Sequence, residues 1–232
     1  MSGHVLQPVA RIRCDLPEKF GIPRQAGIVP ALEGRIVFEP AYRDPEALRG
    51  IEGFSHLWLI WQFSEAVRPE GDWSPTVRPP RLGGNARMGV FATRSPFRPN
   101  ALGLSCVRLL AVERDPELGM VLRVGGADLM DGTPIYDVKP YVPYADCHLE
   151  ALSGFAPDPG ATLEVDFPPA LEARIPAEKR QALRGVLEND PRPRYQSDPE
   201  RLYGLRFGAQ NVRFTVDGER LTVVEVEDDN SL

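Results

Sequence analysis

Apolar and polar positions along most of this chain alternate with the two-residue period of strands. Residues 5–13 predict a first strand, closed by a loop at Asp15-Leu16-Pro17. Residues 20–27 are punctuated by Gly21, Pro23 and Gly27 and predict a loop. A short strand follows at residues 34–39. Asp44 followed by Pro45 supplies an N-cap and an N1 proline, enough to start one or two helical turns that Gly53 ends. Residues 54–63 form the strongest strand signal. Leu57, Leu59, Trp61 and Phe63 on one face oppose Trp58 and Ile60 on the other, so burial on both sides is expected. Residues 88–93, 102–113 and 120–124 predict three more strands, the last two joined by the turn Pro116-Glu117-Leu118-Gly119. Residues 134–139 alternate Ile135, Asp137 and Lys139 against Tyr136 and Val138, a half-buried strand.

Strands at this spacing, without long helices between them, predict a mainly β protein whose first domain, residues 1–152, is a small antiparallel β-barrel. A dinucleotide-binding Rossmann sheet is not expected, because no GxGxxG lies between a strand and a helix. The run Pro157-Asp158-Pro159-Gly160 is rich in turn residues and sets the boundary to a smaller α+β domain, residues 153–232. That domain carries an amphipathic helix at 177–187, with Ala182, Leu183, Val186 and Leu187 on one face. Strands at 211–216 and 220–226 flank Asp217-Gly218, a hairpin signal. The acidic end, residues 225–230, is expected to fray.

Composition narrows the class. The 232 residues are 42% apolar and 26% charged, ordinary for a globular chain large enough for a real core. Cys14, Cys106 and Cys147 are far apart, odd in number and lack CxxC spacing, which argues against a disulfide framework or structural zinc. Thiols in a reducing cytoplasm are the expectation. The start of the chain has no apolar signal segment, and the longest apolar run, residues 57–63, is too short to span a bilayer, so no membrane association is expected.

Charge is segregated. Between Asp72 and Glu113 there is no acidic residue, but Arg78, Arg81, Arg87, Arg94, Arg98 and Arg108 all occur there, in a protein of formal net charge -6. Gly83, Gly84 and Gly89 allow close backbone approach, and Pro96 and Pro99 stiffen the loop that carries Arg94, Arg98 and Asn100. Guanidinium forks in a stiff loop suit phosphate or carboxylate. Solvated surface charge is the alternative for Arg94 and Arg98. The glycines do not make a phosphate loop, since Val90 and not Lys follows Gly89. Asp128, Asp131 and Asp137 form a carboxylate group with Lys139 and Tyr141. It reads either as turn chemistry around Asp131-Gly132-Thr133-Pro134 or as a site for a cation, an amine or ribose hydroxyls. No His lies within it, which disfavours a metal. His56 reads as a structural, hydrogen-bonded histidine, with a catalytic base the alternative, and Trp58 and Trp61 read as core, with one indole stacking on adenine the alternative. Asp190-Pro191-Arg192-Pro193-Arg194-Tyr195 is a stiff basic loop, either a linker or an RNA contact in which Tyr195 stacks on a base.

Several long motifs in order carry a resemblance. Residues 76–85, then Arg94-Ser95-Pro96-Phe97-Arg98-Pro99-Asn100, then residues 128–141 and 190–195, resemble the TrmO (TsaA-like) family of tRNA methyltransferases. The likeness spans about residues 9–226 and is weaker near 146–185. It implies a barrel that binds S-adenosylmethionine without a Rossmann fold. It implies cofactor contacts from Arg24, Gln25, Ser64, Glu65, Arg94, Leu104, Gly126, Ala127, Asp128 and Asp131. Some relatives carry a His-Gln pair where this chain has Ser64 and Glu65. The resemblance also implies substrate contacts from Arg98, Asn100, Lys139, Asp190 and Arg192, and a homodimer in which the second basic loop approaches the partner's cofactor. The implied reaction methylates N6 of N6-threonylcarbamoyladenosine beside the tRNA anticodon. Asp137, Tyr141 and Tyr195 are the candidate catalytic residues. A nonenzymatic RNA- or nucleotide-binding barrel and a small-molecule methyltransferase remain the alternatives.

Overall fold

A computed structural model describes residues 5–67, 69, 71–192 and 198–229. In chain order the strands are β1 (Ala10–Cys14), β2 (Glu33–Phe38), β3 (His56–Gln62), β4 (Thr76–Val77), β5 (Met88–Gly89), β6 (Leu102–Asp115), β7 (Gly119–Gly125), β8 (Pro134–Pro140), β9 (Glu164–Asp166), β10 (Tyr203–Phe207), β11 (Gln210–Asp217) and β12 (Arg220–Asp228). Three short helices, α1 (Pro143–Asp146), α2 (Pro169–Glu172) and α3 (Arg180–Glu188), complete the regular structure with short 3-10 turns.

Six strands pair in the order β1-β2-β7-β6-β3-β8, and β1 hydrogen-bonds to both β2 and β8, so the order closes on itself as a barrel. Every ladder in it is antiparallel. Ile12, Ile36, Leu57, Leu59, Trp61, Val107, Leu122, Val124 and Ile135 fill the interior. The outer wall carries the alternate positions. Ile60 stands level with Leu104 on β6 and Asp137 on β8, and Trp58 with Cys106 and Lys139. The second sheet, β10-β11-β12-β9, packs on α3. Its core also takes in Leu16, Val29 and Leu32, so the segment 16–32, which joins the barrel strands β1 and β2, packs these three side chains against the C-terminal sheet. Among the described residues no helix is long and apolar enough to cross a membrane.

Several sequence expectations are corrected. The first strand begins at Ala10, not residue 5. β3 alternates rather than being buried on both sides. Leu57, Leu59 and Trp61 point in, while Trp58 and Ile60 on the outer wall are half-buried. Residues 88–93 do not form a strand beyond Gly89. β5 has only two residues to pair with β4, and the chain then turns through Val90–Ala92, burying Val90 and leaving Phe91 exposed. The helix at 177–187 begins as a 3-10 turn, Ala177–Lys179, before α3. The acidic end does not fray through Asp229. Glu225 and Glu227 pair with Arg213 at 3.1 and 3.7 Å, and Asp229 with Arg206 at 2.5 Å. The structure adds strands β4, β9 and β10 to those the sequence predicts. β9 has only three residues, and β10 alternates Tyr203, Leu205 and Phe207 inward.

Cys14, Cys106 and Cys147 are all free thiols. Burial pushes the Cys14 thiol up to about 12, and its Sγ donates to the Leu129 carbonyl at 3.4 Å, so this cysteine serves as a packed, protonated side chain.

Phe214 is fully buried beside Phe20 and Tyr203 in the second core. Truncation leaves a cavity that rigid strands cannot collapse. Phe214→Ala therefore lowers the unfolding free energy by about 3–5 kcal/mol, read from the urea midpoint.

Candidate active site at the barrel mouth

The inward face of β6 reads Gly103, Ser105, Val107. Across the ladder Trp61 stands opposite Gly103, and its indole Nε1 donates to Ser105 Oγ at 2.9 Å. Ser105 Oγ in turn donates to Asp128 Oδ1 at 2.5 Å. Asp128 lies three residues beyond the end of β7 and is half-buried. Burial pushes its carboxyl above the usual range. The Ser105 hydroxyl, its own amide, the Ala26 amide and the nearby Arg94 guanidinium act in the opposite direction.

The Ala26 contact brings in the loop before it. Arg94 donates to Gln25 Oε1, and Gln25 Nε2 donates to the Arg24 carbonyl at 2.5 Å. Arg24 reaches the Arg192 carbonyl at 3.4 Å. Arg192 is held by Asp190 through two parallel bonds of 2.9 and 3.1 Å. Gly126 closes the other side. Its φ is +76°, its carbonyl accepts from Gly27 N at 2.8 Å, and an added Cβ would lie 3.1 Å from Gly27 Cα. A cleft of about 240 Å³ runs beside Arg24, between Pro159-Gly160-Ala161 and Asn189-Asp190.

The structure thus gathers Arg24, Gln25, Arg94, Gly126, Ala127, Asp128, Asp190 and Arg192 into one region. Other predicted residues lie elsewhere. The three carboxylates do not form a common group. Asp131 accepts from Cys14 N at 2.9 Å and pairs with Arg13, fastening its turn to the end of β1. Asp137 sits on the outer wall, paired with Lys139 at 2.9 Å. It is level with Leu104, which is 56% exposed and so faces away from Ser105. Tyr141 packs against Trp58 and His56 on that wall, with ring centroids 5.8 and 6.1 Å apart. Ser64 and Glu65 are exposed in the turn after β3, and Glu65 pairs with Lys19 at 2.8 Å.

The arginines of the stiff loop also divide. Arg94 faces Asp128, but Arg98 is half-buried and donates to the Thr93 carbonyl at 3.0 Å, bracing its own loop beside the exposed Asn100. Arg81 pairs with Asp158 at 2.7 Å, tying the arginine segment to the chain between the two cores. Tyr195 lies outside the described residues. Ser105 and the hydrogen-bonding role of Trp61 escaped the sequence. The one available signal was Gly103 inside a strand, which marks close approach of another group.

Comparison with known proteins follows the same outline. A model of the tRNA-methyltransferase O N-terminal domain matches residues 11–147, and one of the TrmO C-terminal domain matches residues 160–229. The tRNA (adenine(37)-N6)-methyltransferase of Escherichia coli (strain K12) is 41% identical over 236 residues, covering 98% of this chain and 99% of its own length. A Pseudomonas aeruginosa protein named "Putative S-adenosylmethionine-dependent methyltransferase RcsF" is 42% identical over 212 residues, covering 88% of this chain and 89% of its own. The crystal structure of TrmO from Pseudomonas aeruginosa superposes with a TM-score of 0.78 at 32% identity, over 97% of this chain and 100% of that one. With both domain models matched in order and the fold shared end to end, the chain belongs to the TrmO family.

Proposed function

We propose that this protein methylates N6 of adenosine 37 in tRNA with S-adenosylmethionine as donor, and that its substrate is the N6-threonylcarbamoyl form of that adenosine. The observation that carries this reading is the meeting of Asp128, Gln25 and Arg94 at the barrel mouth. S-adenosylmethionine carries a sulfonium, an amine, a carboxylate and a ribose diol. The residues fit those groups. Asp128 offers a half-buried carboxylate, Arg94 a guanidinium, and Gly126 a backbone without a Cβ. When bound, the cofactor supplies a methyl group on a good leaving sulfur, for transfer to the N6 nitrogen.

The chain's own residues then bind and orient the two reactants. Arg24, Gln25, Arg94, Gly126, Ala127 and Asp128 hold the donor. Arg98, Asn100, Asp190 and Arg192 bind the acceptor, with arginine recognising the threonyl carboxylate. The acylated N6 is a weak nucleophile and must lose its proton as it attacks. Tyr141 is not the base for that step. Burial, together with Cys147, Cys106 and Asp146, holds its phenol above the ordinary value, so it keeps its proton at neutral pH. Tyr141→Phe is expected to retain methylation within about threefold of wild type, measured by single-turnover methylation of purified tRNA.

The outer wall of β8, β3 and β6 exposes Leu104 beside half-buried Trp58 and Ile60. We place a second copy of the chain over it, making a homodimer, with the enzyme in the cytoplasm and the two domains meeting near residue 152. Mass spectrometry of nucleosides from tRNA of a deletion strain tests the function. Threonylcarbamoyladenosine should persist while its N6-methylated form disappears. Methylated nucleoside at the parental level would rule the reading out.

A further inference from the structure

Ser105 is 2% exposed and makes two hydrogen bonds of fixed direction. Indole Nε1 is a donor only, so the bond from Trp61 must end on a Ser105 lone pair. The single hydroxyl proton is then free to point at Asp128, 2.5 Å away. If Asp128 were protonated and donated instead, the Ser105 proton would be left buried without an acceptor. The indole therefore makes Asp128 Oδ1 the acceptor of the Ser105 proton, a bond that is stronger to the ionised carboxylate than to the neutral acid. Gly103 makes this possible. A Cβ there would lie 2.3 Å from the Trp61 ring, so only glycine lets the indole lie flat along β6 with its N–H over Ser105.

We propose that Ser105, oriented by Trp61, is a positioning residue. It holds the Asp128 carboxylate charged and fixed, and through it sets the loop of Arg24, Gln25 and Ala26 against Arg94 for cofactor binding. This inference rests on the cofactor reading above. The Asp128 carboxylate accepts the Ala26 amide, and Gln25 beside it receives Arg94. Loss of the Ser105 proton loosens both contacts. The charge that acts on Asp128 is the Arg94 guanidinium, from the loop after Val90–Ala92, while β3 and β6 present the neutral Trp61 and Ser105.

The test uses the full chain, with S-adenosylmethionine as the probe. In ligand-free Ser105→Ala, the Ala26 amide exchanges with deuterium at least about tenfold faster than in wild type, while Val212 in β11 is unchanged. Calorimetry between about pH 5.5 and 8.5 then shows Kd raised about tenfold at the alkaline end and by more toward the acid end. The sign follows from Asp128. Removing a donor to its charged form raises a pKa that burial has already raised, so the ionised form is lost at higher pH. Trp61→Phe moves both readouts in the same direction by less. Wild-type exchange at Ala26, or a Kd weakened by one factor at every pH, overturns the proposal. A wild-type protein that takes up no S-adenosylmethionine, with exchange still responding to Ser105→Ala, supports the positioning role and defeats the cofactor reading instead.

Discussion

Arg94→Ala lowers affinity for S-adenosylmethionine about thirtyfold or more, measured by calorimetry at neutral pH. Two losses add. The guanidinium no longer holds Gln25 Oε1, and the cation beside the Asp128 carboxyl is gone. A hydrogen bond to a charged group is worth about 1.5–3 kcal/mol, and the exposed setting of Arg94 keeps the total toward the lower part of that range. The defect should also deepen in acid. Asp128 already titrates above the ordinary carboxylate range because of burial, and without Arg94 it rises further. Its charged form exists only above that pKa, so the variant loses binding at a higher pH than wild type does. Arg98→Ala offers a contrast, because Arg98 donates to its own loop at Thr93. Its effect should fall on tRNA turnover and on the order of the loop, with donor affinity near wild type. An Arg94→Ala protein that binds donor as wild type does would detach this arginine from the site.

Gly103→Ala destabilises the barrel by about 2–3 kcal/mol, read from the urea midpoint. Glycine within a strand ordinarily costs about 0.5–1 kcal/mol relative to alanine, so a substitution in open space should be neutral or mildly stabilising. Position 103 is not open. The added Cβ would meet three Trp61 ring atoms at 2.3, 2.4 and 2.6 Å. The indole cannot swing aside cheaply, because it is bonded to Ser105 and its ring centroid lies 4.3 Å from that of Phe63. Gly89→Ala is the matched control. No atom lies within 4 Å of its Cβ position and its φ of -56° suits alanine, so its stability should stay within about 0.5 kcal/mol of wild type. Equal stability of Gly103→Ala and wild type would mean that the indole is not seated along β6.

Much of the fold was legible because local chemistry recorded it. Pro45 behind Asp44 starts its 3-10 turn as expected, with Asp44 accepting from Glu46 N at 2.9 Å. Asp217-Gly218 turns the β11–β12 hairpin, with Gly218 at a φ of +57°. Arg24, Gln25, Arg94, Asp190 and Arg192, which the family resemblance singled out, meet in the structure although they lie on separate loops. Grouping Asp128, Asp131 and Asp137 failed because closeness in the chain is not closeness in space. One turns toward Ser105, one back to β1, and one outward on β8.

Sequence alone determined most of the barrel strands, the Asp217-Gly218 hairpin and the arginine-rich loop, since each depends on residues within a few positions of one another. The tertiary structure decided which face of each strand is wet and which polar groups meet. Trp61, Ser105 and Asp128 come from three separate stretches, and their chain of hydrogen bonds exists only once β3 is paired with β6 in register and the barrel has shut water out.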